Sequence, residues 1–253
     1  MPVCRLTIEY DGSRFSGWQV QPDCRTVQGE LKKALATVMR EPVDLQGAAR
    51  TDAGVHALGQ VASFEAQALP DPERLARSVS ALAGPDVAVT EAALAPDGFN
   101  ARFDATGKRY CYAVLSRPTP SPLFARTSWF VPRPLDLGAM RAAARVLVGT
   151  HDFAGFRSSD CGRKTTERTM ARVEISEHER GLVTIDVEGT AFLKNMVRIM
   201  AGTLVAVGHG RFPPDVTARL LETKDRTKAG PTAPPHGLTL VEVLYPEGGL
   251  RRR

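Results

Sequence analysis

Ala48-Ala49-Arg50-Thr51-Asp52-Ala53-Gly54-Val55-His56-Ala57 places two opposite charges, a histidine and a glycine in the gap between two apolar runs. Val43 to Ala48 has the length of a short strand, and Ala57 to Phe64 has that of its neighbour. A loop joining such strands presents Asp52 beside Arg50 at a sheet surface. Taken alone, the Asp-x-Gly pattern also suits a plain turn in which the aspartate bonds its own backbone.

Upstream, Cys4, Leu6, Ile8 and Tyr10 alternate with Arg5, Thr7 and Glu9, which is the period of a half-buried strand. A loop holding Asp11-Gly12 and Gly17-Trp18 follows. Thr26 is placed to cap a helix that carries Val27, Leu31, Leu35 and Val38 on one face. Downstream, a helix is predicted from about Pro72 to Leu82 and a strand from Val87 to Leu94. The order is strand, helix, strand, strand, helix, strand.

The second half repeats that logic. Lys108 to Leu115 alternates as a strand and holds Tyr110 and Tyr112. Asp136 caps a helix with Leu137, Met140, Ala144 and Leu147 on one face. Val173 and Ile175, then Val183, Ile185 and Val187, predict a hairpin turning near Arg180-Gly181. A helix from about Leu193 to Val207, a short one after Pro213-Pro214 and a strand from Leu238 to Leu244 complete the pattern. The expectation is an α+β fold of two pseudo-duplicated, ferredoxin-like halves. The halves are residues 1–105, with the aspartate loop, and 106–246, with a loose basic tail at 247–253.

Charge and composition narrow the function. With 253 residues, 43% hydrophobic and 24% charged, the chain can bury a sizeable core. Residues 1–107 hold ten Lys/Arg against fourteen Asp/Glu, whereas 108–253 hold twenty-three against fourteen, so the net +5 is concentrated in the second half. Such asymmetry suits a polyanion docked mainly on one side. Aromatics are 6%, too few for a long base-stacking groove, so an RNA partner is expected to be gripped by backbone and shape. Cys4, Cys24, Cys111 and Cys161 form no CxxC pair and no Cys/His zinc pattern occurs, so reduced thiols and no metal are expected. No secretory signal is visible and no apolar run approaches the ~20 residues of a membrane span, which points to a cytoplasmic protein.

The Asp52 loop resembles the signature of the tRNA pseudouridine synthase A family, G-R-T-D-A-G-V-H-A. Eight consecutive residues from Arg50 to Ala57 match, and Ala49 stands where that family has glycine. Further segments resemble the family in order: Glu9-Tyr10-Asp11-Gly12 with Gly17-Trp18, Ala101-Arg102-Phe103 with Lys108-Arg109-Tyr110-Cys111-Tyr112, Phe192 to Arg198, Lys224-Asp225-Arg226, and Gly237-Leu238-Thr239-Leu240. The similarity spans roughly residues 4 to 246. It implies a pseudouridine synthase fold, a central, mainly antiparallel sheet flanked by helices and built from two halves. It also implies isomerisation of uridine to pseudouridine at positions 38, 39 and 40 of the tRNA anticodon stem-loop, an aspartate nucleophile, no cofactor, and a homodimer spanned by one tRNA.

The residue types suit that reaction. The N1–C1′ bond breaks, the uracil turns, and it rejoins through C5. A carboxylate can hold the intermediate by attacking C1′ or by adding to C6, and both routes stay open. A base must then take the C5 proton. The resemblance assigns Asp52 as nucleophile, Arg198 as the guanidinium that favours its charged form, and Tyr110 as the aromatic that packs on the base and relays the proton. Leu238 is an apolar wall for the substrate. Arg50 fills the vacancy left by a flipped base or holds its phosphate. Arg102, Lys108, Arg109, Arg163, Lys164, Arg168 and Lys194 are candidate RNA contacts. Three other functions fit parts of the pattern: an RNA-binding protein without catalysis, a base-excising glycosidase, and a synthase acting on another RNA.

Overall fold

The computed structural model describes residues 1–247, which form two compact units. Of the basic tail expected at 247–253, residues 248–253 lie outside the described residues. The first unit comprises Met1–Lys108 and the closing segment from Thr239, and the second is Arg109–Leu238. The fold is α+β, with mainly antiparallel sheet flanked by helices.

In the first unit, β1 (Val3–Tyr10) lies between β3 (His56–Glu65) and β4 (Val87–Ala95) and is antiparallel to both. Leu6 faces Ala62 on one side and Ala92 on the other. The outer flank of β3 takes β10 (Leu238–Leu244) in parallel, with Thr239 opposite His56. Leu6, Ile8, Leu31, Leu35 and Leu75 are completely or almost completely buried. Each such side chain contributes about 1.5–3 kcal/mol of burial. Helices α1 (Val27–Met39) and α2 (Pro72–Ala83) pack on each other. Thr26 caps α1 as expected from sequence, accepting a hydrogen bond from Gly29 N–H, and Asp71 caps α2, accepting one from Arg74 N–H.

One expected strand shrinks. Only β2 (Gln46–Gly47) of the Val43–Ala48 run pairs with β3. The alternation of Val43 and Leu45 is satisfied by burial, and Leu45 C=O accepts a hydrogen bond from the Gln28 side chain at 2.9 Å instead of joining the ladder.

In the second unit the strand order is β5 (Gly107–Ser116), β9 (Leu182–Gly189), β8 (Glu167–Glu177), β7 (Gly149–Asp152), with β6 (Trp129–Val131) alongside β5. The predicted hairpin is β8–β9, with Ile175 opposite Ile185, and it turns through Arg180 and Gly181, both at positive φ. Helix α3 (Leu137–Arg145) is capped by Asp136 and packs on α4 (Met196–Gly208) and α5 (Val216–Thr223). Twelve of the thirteen α4 residues are buried, which fits a helix that is apolar all round. It starts at Met196 rather than Leu193 because Asn195 adopts the left-handed conformation, φ 60°. Among the described residues no helix is long and apolar enough to cross a membrane.

Candidate active site

Strand β1 ends at Tyr10, and the chain then lies directly on the Asp52 loop. Tyr10 is buried, and its hydroxyl is 2.7 Å from Thr51 Oγ1. Trp18 N–H donates to Thr51 C=O at 3.1 Å. Two glycines permit this approach. A Cβ on Gly12 would come within 2.0 Å of Val55 C=O, and one on Gly17, which sits at φ +91°, within 2.8 Å of Thr51 C=O. These contacts explain why the Asp11-Gly12 and Gly17-Trp18 pairs accompany the aspartate loop in the sequence.

Asp52 opens a tight turn. Val55 N–H donates back to Asp52 C=O at 3.1 Å, and Gly54 supplies the positive φ of 78° that the third position of such a turn favours. Asp52 itself is half-buried and Arg50 is exposed. Upstream, the wholly buried Gln60 clasps Ala49 at both ends of its peptide: Ala49 N–H donates to Gln60 Oε1 at 3.1 Å, and Gln60 Nε2 donates to Ala49 C=O at 2.9 Å. Ala49 is absent from the positive-φ positions, so alanine sits there without backbone strain. His56 is buried, with Nδ1 accepting from Gly12 N–H at 3.1 Å and lying 3.2 Å from Asp11 Oδ1. Its role here is to hold the glycine turn.

The second unit carries the other predicted catalytic residues. Tyr110, on β5, is buried with its ring edge-on to Phe192, centroids 5.0 Å apart. Arg198 projects from the first turn of α4. Its Nε donates to Ala233 C=O and one terminal nitrogen donates to Asn195 Oδ1, both at 2.8 Å, while Ala233 N–H returns a bond to Arg198 C=O at 3.1 Å. A guanidinium held at two nitrogens has its plane fixed. Burial pushes the Tyr112 hydroxyl above its usual range, and the Arg198 charge partly opposes this. Tyr112 donates to Pro234 C=O at 2.8 Å, and a Cβ on Gly237 would meet the Tyr112 ring at 2.7 Å. The strap 233–237 is thus fastened to both Arg198 and Tyr112, and leads into the buried Leu238.

The sequence model described as tRNA pseudouridine synthase matches residues 6–104 and 143–246. The chain belongs to this family. It is 47% identical to a tRNA pseudouridine synthase A of Geotalea uraniireducens, across 97% of this chain and all of that one. It is 46% identical to the protein of that name in Myxococcus xanthus, covering 98% and 94%. For the one in Syntrophotalea carbinolica the identity is 48%, covering 97% of each. These relatives carry the name of an isomerase family, tRNA pseudouridine synthase A, and the expected family resemblance is borne out.

In this family member the candidate RNA contacts occupy unlike settings. Arg163 and Lys164 are exposed in the segment between β7 and β8. Lys194 is ion-paired with Asp160, whose carboxyl it holds below the usual range with help from Ser158. Arg109 Nε lies 3.8 Å from Glu188, and Arg102 rests over the Phe103 ring at 5.4 Å. Lys108 is half-buried where β5 begins. Arg168 is half-buried on β8 with its Nε unpartnered, and burial and the Arg163 charge lower its pKa. Among the described residues there is no metal-holding group of three or more His, Cys, Asp or Glu. Sequence reasoning gave no role to Gln60, Asn195 or the 233–237 strap, which act through backbone groups distant in sequence.

Proposed function

We propose that this chain isomerises uridine to pseudouridine at positions 38, 39 and 40 of the tRNA anticodon stem-loop, with Asp52 as nucleophile and no cofactor. One observation supports the assignment of Asp52 above all. In a member of the tRNA pseudouridine synthase family, it opens a turn whose stem is locked by the buried Tyr10–Thr51 and Gln60–Ala49 bonds. Rigid presentation of a nucleophile is what a covalent step needs.

The chemistry balances without an added reagent. Asp52 attacks C1′ and displaces the uracil ring as its N1 anion, or it adds to C6 and the N1–C1′ bond then breaks with the ring held on the carboxylate. The ring turns, C5 bonds to C1′, and the carboxylate is released. A base then takes the C5 proton, and N1 gains one. Tyr110 is the relay for the C5 proton and packs on the base. Arg198 stabilises the Asp52 carboxylate, and Leu238 walls the pocket. Arg50, Arg102, Lys108, Arg109, Arg163, Lys164, Arg168 and Lys194 contribute RNA contacts. The reading extends to a cytoplasmic homodimer, on the strength of the family resemblance.

The test is to incubate unmodified tRNA with the purified protein and chelator, then map pseudouridine at nucleotide resolution. Pseudouridine confined to 38–40 is expected. Modification elsewhere overturns the positions, release of free uracil favours a glycosidase, and dependence on a metal overturns the cofactor-free reading.

A further inference from the structure

Beside the Asp52 loop, within the first unit, lies a concavity of about 320 Å³. It is lined by Lys32 of α1, Arg50 of the loop and Arg102, against the single carboxylate of Asp44. Among the described residues neither Lys32 nor Arg50 has an ion-pair partner, whereas the next residue along α1, Lys33, pairs with Glu30 at 3.1 Å. The floor is rigid. Gln28 is buried, its Oε1 accepts from Val20 N–H at 3.0 Å and from Gln19 Nε2 at 2.8 Å, and its Nε2 donates to Leu45 C=O. Trp18 also contributes to the wall, yet it is only 1% exposed, so it offers no face on which a base can stack. A rigid polar recess with converging cations and no stacking surface recognises a phosphate.

We infer that this recess holds the phosphodiester flanking the target uridine in the bound tRNA, with Lys32 as a phosphate ligand beside Arg50 and Arg102. The inference rests on the synthase reading above. Its placement follows from chain geometry. Arg50 and Asp52 are two residues apart, so their Cα atoms are separated by at most about 7 Å. A phosphate on Arg50 is therefore within about one nucleotide of the uridine that Asp52 engages. The volume is at the lower end of the roughly 300–1,000 Å³ of small-molecule sites, enough for a single nucleotide's backbone and no more. Asp44 accepts from Gln46 Nε2 at 2.9 Å, and its carboxylate is an acceptor for a ribose 2′-hydroxyl.

The experiment compares tRNA affinity across a salt series for wild type, Lys32→Gln and Lys33→Gln, with circular dichroism confirming the fold. Glutamine has nearly the helix propensity of lysine, so α1 is retained. Lys32→Gln is expected to weaken tRNA binding about tenfold and to make the slope of log affinity against log salt shallower by about 0.7–0.9, the loss of one phosphate contact. Lys33→Gln is expected to match wild type. If Lys32→Gln has the affinity and slope of Lys33→Gln while pseudouridine still forms, the recess is not a phosphate site and the synthase reading stands. If the wild type forms no pseudouridine in any tRNA, that reading itself fails.

Discussion

The Tyr10 hydroxyl and Thr51 Oγ1 lie 2.7 Å apart in a buried setting, joining the end of β1 to the residue before Asp52. Forty-one positions separate them in sequence. Desolvation by burial lifts the Tyr10 phenol above its usual range, so it stays protonated, and either hydroxyl of the pair can donate. Tyr10→Phe removes that hydroxyl and leaves Thr51 without this partner. The cost is about 1–3 kcal/mol, or roughly 2–12 °C in melting temperature at about 2–4 °C per kcal/mol. Turnover is expected to fall more than tRNA affinity, because the lost bond supports the residue before the nucleophile and removes no group that contacts RNA. Calorimetry with single-turnover assays checks both. Unchanged melting and turnover would show that the bond positions nothing.

Tyr110 is expected to act through its hydroxyl as well as its ring. Tyr110→Phe keeps the edge-on contact with Phe192 but removes the proton relay. Single-turnover rates should drop by about 10²–10⁴-fold, the usual contribution of a positioned acid or base, with tRNA affinity within a few-fold of wild type. A rate near wild type would reduce its role to packing.

Arg198 is expected to require its guanidinium and not merely a positive charge. Its bonds to Ala233 and Asn195 use two nitrogens in a fixed plane, which an ammonium cannot reproduce. Arg198→Met should slow single-turnover isomerisation by about 10²-fold, the order of loss seen when one preorganised electrostatic group is removed. Arg198→Lys should recover little of it. Full recovery by lysine would mean that only charge matters.

The cysteines should separate by reactivity. Burial pushes the Cys4 thiol up to about 11 and, with Asp186 nearby, Cys111 up to about 12. Burial also works against ionisation of Cys161, yet hydrogen bonds from the backbone at Arg163 and Lys194, with the Arg157 and Arg163 charges, bring it below its usual value. A lower pKa means more thiolate at neutral pH, so iodoacetamide should label Cys161 ahead of Cys4 and Cys111. Peptide mapping by mass spectrometry reads the order, and earlier labelling of Cys111 or Cys4 would contradict it.

Local signals carried much of the architecture. The alternation of Cys4, Leu6, Ile8 and Tyr10 marks β1, and Thr26 and Asp136 mark the helix starts they cap. Elements without such signals escaped. Strand β7, Gly149-Thr150-His151-Asp152, has no apolar alternation and exists because it pairs with β8. Conversely, Val43 and Leu45 alternate as a strand would, but Gln28 takes the Leu45 carbonyl and pairing is confined to β2. The start of α4 was misplaced because a left-handed asparagine leaves no unique mark in sequence. Around the candidate site, motif similarity pointed to Asp52, Tyr110 and Arg198. It gave no hint of the long-range bonds that hold them, such as Gln60 to Ala49 or Arg198 to Ala233, since these depend on tertiary proximity.

The central claim is that Asp52 is the nucleophile. Asparagine has nearly the same shape but is neutral and a poor nucleophile, so Asp52→Asn tests charge and nucleophilicity with little change in packing. Backbone contacts define the turn it opens, and these do not depend on the carboxylate. The decisive measurement is tritium release from tRNA labelled at uridine C5, because C5 loses its hydrogen only when it joins the sugar. The prediction is a folded Asp52→Asn protein that binds tRNA within a few-fold of wild type and releases no tritium above background. Sustained tritium release by purified Asp52→Asn, free of any other synthase, would contradict the assignment.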